Sequence, residues 1–223
     1  MKTLISILFC CAFLCTCNAQ SWKFEQYLNN FGKSELPISI NDRQSYGKIF
    51  YQVDDTIFSG KKTSKAISED IVEKYICKNK FCNSDEGYFR YDYGVKVKLS
   101  NDFTSVLVPK WQYEGNSEWD FDLVEILLIT YSNKGEILSR QSLTKDNERW
   151  QFSLKISQEG IVIRQIKVTE PKIDQYHRDL HCEFWTNSYK INDSGIINLV
   201  STTPVSSGIL IWKESTEEYI LKE

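Results

Sequence analysis

The run His177-Arg178-Asp179-Leu180-His181-Cys182-Glu183 gathers the residue types that hold metal ions. Residues four apart share a face in a helix or a strand, so His177 and His181 can reach one ion, with Glu183 as a third ligand. In a strand Asp179 also lies on that face, while Cys182 points the other way. A solvated strand edge or loop would carry the same residues without an ion. Glu118, Asp120 and Asp122 alternate with Trp119, Phe121 and Leu123, so a strand there projects three carboxylates from one face. Neighbours on that face stand about 6–7 Å apart, a separation that suits an acid and base pair in glycoside hydrolysis, or a bound Ca²⁺. The plainer account is a solubilising polar face with Trp119 and Phe121 turned inward. Trp111, Tyr113 and Trp119 flank the stretch Glu114-Gly115-Asn116. Rings of this kind stack on sugars while amides and carboxylates take the hydroxyls, which makes the three a candidate ligand surface. They also pack ordinary β cores.

Other chemistry finds no residues to carry it. The chain lacks G-x-S-x-G, the P-loop and G-x-G-x-x-G, and both of its histidines fall in the one cluster. The sequence therefore implies no cofactor and favours binding over catalysis. A net charge of −3 over 223 residues gives no electrostatic reason to expect nucleic acid as a partner.

The elements that position these residues begin after a leader. Lys2, the apolar run Leu4–Leu14 and the small-residue site at Cys17-Asn18-Ala19 read as a secretory signal over 1–19. Leu14-Cys15-Thr16-Cys17 is also a degenerate lipobox, in which Cys17 carries a lipid and tethers the chain to a membrane. Either reading places the protein outside the cytoplasm: periplasmic, secreted or an outer-membrane lipoprotein. Cys77 and Cys82 then suit a small disulfide loop, which leaves Cys182 buried or paired with one of them.

Residues 20–223 read as one β-rich domain whose part up to about residue 80 is helical. Phe24, Leu28 and Phe31 form a helical stripe that Gly32 stops, and a second helix starts at Ser68 with Glu69 and Asp70 in its first turn. Leu36–Ile40 runs extended around Pro37. From Glu86 onward the period is two. Phe89 to Leu99 alternates over eleven residues as one strand with an apolar and a wet face, and Trp150 to Ile156 does the same. Leu123–Tyr131 is apolar with few interruptions, as in a central strand covered on both faces. Gly135, Gly160 and Gly195 each close a hairpin-type turn. The expected fold is mainly β: an antiparallel sandwich or strongly curved meander sheet of nine to eleven strands with two short N-terminal helices.

Phe24-x-x-Tyr27-Leu28-x-x-Phe31 followed by Leu36-Pro37-Ile38-Ser39-Ile40 resembles the opening of small secreted or lipoprotein-like β-rich proteins of Gram-negative bacteria. Leu127 to Ile137 is similar to their central hairpin, and Tyr189 to Gly195 to their closing one. The resemblance implies the location and the fold, and it carries over no activity or functional residue. The expectation is a non-enzymatic binding protein whose partner is an envelope protein or glycan. A metal-dependent or carboxylate-based hydrolase is the first alternative, and a secreted inhibitor or immunity-type protein the second.

Overall fold

The computed structural model describes residues 23–41, 45–46, 49–50, 66–77, 89–113, 121–145, 150–169, 179–215 and 218–222. The first sheet contains β1 (Gly32–Ser34), β3 (Phe89–Tyr91), β4 (Val95–Val97), β5 (Thr104–Tyr113), β6 (Phe121–Tyr131) and β7 (Ile137–Lys145). Its order is β1-β4-β5-β6-β7, with β3 also on β5. The second sheet contains β2 (Ile38–Ile40), β8 (Trp150–Ser157), β9 (Gly160–Val168), β10 (Leu180–Ile191), β11 (Ile197–Thr202), β12 (Ser206–Lys213) and β13 (Glu218–Lys222). Its order is β13-β12-β10-β9-β8-β2, with β11 continuing along the β12 side of β10. Every pairing between these strands is antiparallel except β1 with β4. The chain is thus mainly β, with a curled and largely antiparallel arrangement. Its thirteen strands among the described residues exceed the expected nine to eleven, because short edge segments pair as well.

Side-chain alternation along β6 builds two cores at once. Ile126 and Leu128 face the second sheet, where they meet Leu154, Ile156, Ile161 and Ile163. Leu127, Ile129 and Tyr131 face the other way, onto a helical layer. All five are at most 1% exposed. Each such side chain contributes roughly 1.5–3 kcal/mol relative to solvent, so the central strand anchors both layers. The helical layer consists of α1 (23–29) and α2 (Glu69–Tyr75). Phe24, Tyr27 and Phe31 bury the stripe of the first, while Val72 and Tyr75 bury that of the second. A third, smaller cluster of Ile166, Leu180, Cys182 and Leu210 forms on the second sheet. Cys182 there is a free, buried thiol, whereas Cys77 is disulfide-bonded. Cys82 lies outside the described residues, as do residues 1–19 with Cys17.

The predicted hairpin glycines adopt positive φ at Gly135 (81°), Gly160 (148°) and Gly195 (78°). At Gly135 the absent side chain also admits the Phe24 ring of α1. One expectation is corrected. Phe89–Leu99 is not a single strand but β3 and β4, separated at Asp92–Gly94, and its apolar residues do not share a face. Tyr91 joins the helical core, while Val95 and Val97 join the core between the sheets. The pairing with β5 slips by one residue across the break, from Tyr91↔Lys110 to Val95↔Leu107. A one-residue slip reverses the sides of a strand, so the strict alternation is split between two cores. Buried Asp92 is held at the break by Arg90 at 2.7 Å and donates its N–H to the Pro109 carbonyl (3.1 Å).

Gly94 allows the slip. A Cβ there would collide with the Leu107 carbonyl and stand 2.9 Å from the Phe50 ring. Gly94→Ala is expected to cost about 2 kcal/mol or more, because the clash is with backbone that cannot rotate away. Urea unfolding of the variant against the parent measures this.

Candidate functional site

The predicted site residues do not assemble into one site among the described residues. Trp111 lies on β5, 8% exposed, its ring edge-on to Tyr46 at 6.0 Å between centroids. It therefore packs the interior and turns little of its face to solvent. Tyr113 ends β5 and Asp122 lies on β6, where it pairs with Gln112. Glu118, Asp120 and Trp119 lie outside the described residues, as does His177. His181 and Glu183 stand on β10 opposite Ile209 and Ser207 of β12, His181 exposed and Glu183 half-buried. Among the described residues no three His, Cys, Asp or Glu side chains come together as metal ligands.

A different cluster does converge. The helices lie side by side on the first sheet and leave a cleft of about 350 Å³ between them. Helix α1 presents Lys23, Gln26 and Tyr27 to it, and Asn30 in the turn that follows continues the same three- and four-residue spacing. Helix α2 presents Asp70, Ile71, Lys74 and Tyr75 with the same spacing. Tyr93, from the break between β3 and β4, completes the wall. The slip at Gly94 that divides the strand thus also leaves Tyr93 beside the helices, 5.1 Å from the Phe31 ring and 5.9 Å from Tyr27.

Beneath the cleft the tyrosines form a stacked and hydrogen-bonded group. The Tyr27 and Tyr75 rings stack at 4.7 Å with 17° between planes. Tyr131 Oη donates to the Tyr75 carbonyl at 2.5 Å, near the end of α2. That uses its only proton, so in the 3.0 Å contact between the Tyr27 and Tyr131 hydroxyls Tyr27 donates. The Tyr75 hydroxyl is buried and meets no hydrogen-bond partner among the described residues. Leaving such a group unpaired costs roughly 1–3 kcal/mol.

The rim is charged. Lys74 Nζ sits 4.9 Å above the Tyr75 ring, and Lys23 lies near enough to Asp70 to favour its carboxylate. Asp70 is held below the usual carboxylate range chiefly by the Ser68 hydroxyl, which donates to it at 2.6 Å. Two ammonium groups against one carboxylate leave the rim net positive. The Asn30 amide is committed to the Gln26 carbonyl (2.9 Å). A second cleft, about 520 Å³, lies between Leu99–Phe103 and the turns at Gly160 and Asp193. Gln158 Nε2 reaches across it to the Lys98 carbonyl at 3.4 Å, and no orphaned buried hydroxyl lines it.

Sequence reasoning assigns no functional role to Tyr27 or Tyr75. What marks the site is two helices with small amphipathic faces, each carrying a Lys and a Tyr: Lys23 and Tyr27 four residues apart on one, and Lys74 and Tyr75 adjacent on the other. Only their packing side by side turns two faces into one cleft.

Burial raises the Tyr27 and Tyr131 hydroxyls well above the ordinary tyrosine value, and it pushes Tyr91 up to about 12. Tyrosines in the unfolded chain ionise near pH 10. Below about pH 10 both states keep the proton and full stability is present; above it the unfolded chain releases protons first, so stability falls. Denaturant unfolding at pH 8 and pH 11 is expected to show this loss. Tyr131→Phe is expected to cost about 1–3 kcal/mol at pH 7, since the Tyr75 carbonyl and the Tyr27 hydroxyl both lose a buried partner.

Comparison with family models, with curated proteins and with solved structures finds no match for this chain.

Proposed function

We infer that the protein is a non-enzymatic binding protein of the cell exterior, and that the cleft between α1 and α2 holds its ligand. The N-terminal leader supports the location. The observation that carries the reading is a cleft of about 350 Å³ lined by Tyr75, a residue whose buried hydroxyl meets no hydrogen-bond partner among the described residues. That volume lies in the range of small-ligand sites, at its lower end. The lining supplies a tyrosine ring at the wall (Tyr93), an amide (Gln26) and a positive rim (Lys23, Lys74). Such a set fits a single ring-shaped, hydroxyl-rich unit bearing a carboxylate, that is, an acidic sugar of an envelope glycan. The ring lies against Tyr93, the carboxylate between the two ammonium groups, and one sugar hydroxyl accepts the proton of Tyr75.

Isothermal titration calorimetry with glucuronic acid, and with glucose as the neutral control, tests the reading. The acidic sugar is expected to bind with an affinity between about 10 µM and 1 mM, and glucose about tenfold more weakly. Tyr75→Phe is expected to weaken binding about tenfold while leaving the unliganded fold as stable or more so, because it removes an unsatisfied buried group. Lys74→Ala is expected to abolish the preference for the acid. Equal or absent binding of both sugars overturns the assignment.

A further inference from the structure

We propose that the disulfide at Cys77 is a redox latch on the cleft: the oxidised chain holds α2 against the first sheet, and reduction frees α2 while the two sheets stay folded. Gating of a ligand in this way rests on the cleft being the ligand site; the latch itself does not. Cys77 is disulfide-bonded and 4% exposed, two residues beyond the end of α2. Its partner lies outside the described residues; with Cys182 free, the sequence favours Cys82. α2 supplies Asp70, Ile71, Lys74 and Tyr75 to the cleft, so the bond lies two residues from Tyr75 and three from Lys74.

The helix needs such a hold. It has seven residues, about two turns, and a helix that short is unstable on its own in water. The Ser68 side chain caps no backbone N–H and is committed instead to Asp70. The start of the segment is tied to the first sheet, where Ala66 bridges to Asp92 and the Ile67 N–H binds the Tyr91 carbonyl at 2.8 Å. Its end is held by the burial of Tyr75 and Ile76, by the Tyr131 hydroxyl on the Tyr75 carbonyl, and by the disulfide. The N–H groups of Ile76 and Cys77 both turn back to the Val72 carbonyl, at 2.9 and 3.0 Å, and so add no tie to the sheet. Reduction by a dithiol adds two electrons and two protons, cleaves the S–S bond to two thiols and leaves the dithiol as a disulfide. The chain at Cys77 then regains the freedom that the cross-link removed. The core between the sheets contains no residue of α1 or α2, so the release is local. An oxidising exterior keeps the bond and a reducing compartment does not, so the cleft becomes competent only after export.

Hydrogen–deuterium exchange of the chain from Gln20, oxidised and after treatment with dithiothreitol, tests this. The amides of Tyr75–Cys77 are expected to exchange at least about tenfold faster in the reduced chain, while those of Leu127–Ile129 in β6 stay within about twofold. Cys77→Ser, with no reductant present, is expected to give the same pattern. Equal protection of α2 in both redox states overturns the proposal. So does a loss of protection in β6 together with α2, which makes the bond a support of the whole fold. Where the oxidised chain binds glucuronic acid, the reduced chain is expected to bind it at least about tenfold more weakly, and equal binding overturns the gating. A chain that binds no sugar in either state refutes the ligand reading, while the exchange still decides the latch, so the two fail separately.

Discussion

The structure depends on the requirement that the β5–β6 pair be dry on both faces. An antiparallel strand usually buries one side and wets the other, and its sequence alternates accordingly. β6 is apolar at successive positions from Ile126 to Ile129, so any arrangement that covered one face alone would leave the other in water. The chain resolves this by placing the second sheet on one side and α1 with α2 on the other. The helices are too short to hold themselves together in water, so their stability comes from packing on that face.

This layering explains why the helical core is built of tyrosines. α1 and α2 cover the sheet incompletely, and the side chains nearest their edges must reach from an apolar floor to a wet rim. Tyrosine does both, with a ring for the floor and a hydroxyl for the rim. Where the hydroxyl stays inside it needs a partner: Tyr27 and Tyr131 find theirs in each other and in the Tyr75 carbonyl. The Tyr75 hydroxyl is left without a partner among the described residues, while its ring stacks against Tyr27. Structural covering and candidate binding site are thus the same layer.

The second sheet follows a different economy. Its inner face is apolar near β8 and β9, where the first sheet covers it. Along β11 it runs beyond that cover. There the residues are uncharged serines and threonines mixed with exposed aliphatic side chains.

How much of this was legible in the chain differs by level. The two helices, the hairpins at Gly135, Gly160 and Gly195, and the two-sided burial of Ile126–Tyr131 all follow from local pattern, since periodicity and turn chemistry act over a few residues. The break at Asp92–Gly94 did not: Phe89–Leu99 alternates without a flaw, and only the Leu107 carbonyl and the Phe50 ring pressing on Gly94 show why the strand must slip. Nor did the site. The sequence drew attention to Trp111, whose ring the fold spends on packing, because residue type says what a side chain is able to do and not which way it faces. Lys23, Tyr27, Lys74 and Tyr75 are unremarkable in order and some fifty residues apart, and their convergence depends on two helices sharing one sheet. Secondary structure was therefore set by the sequence itself, through interactions between near neighbours. The cleft and the strand break were decided only in the tertiary structure, because each is a relation between segments distant in the chain.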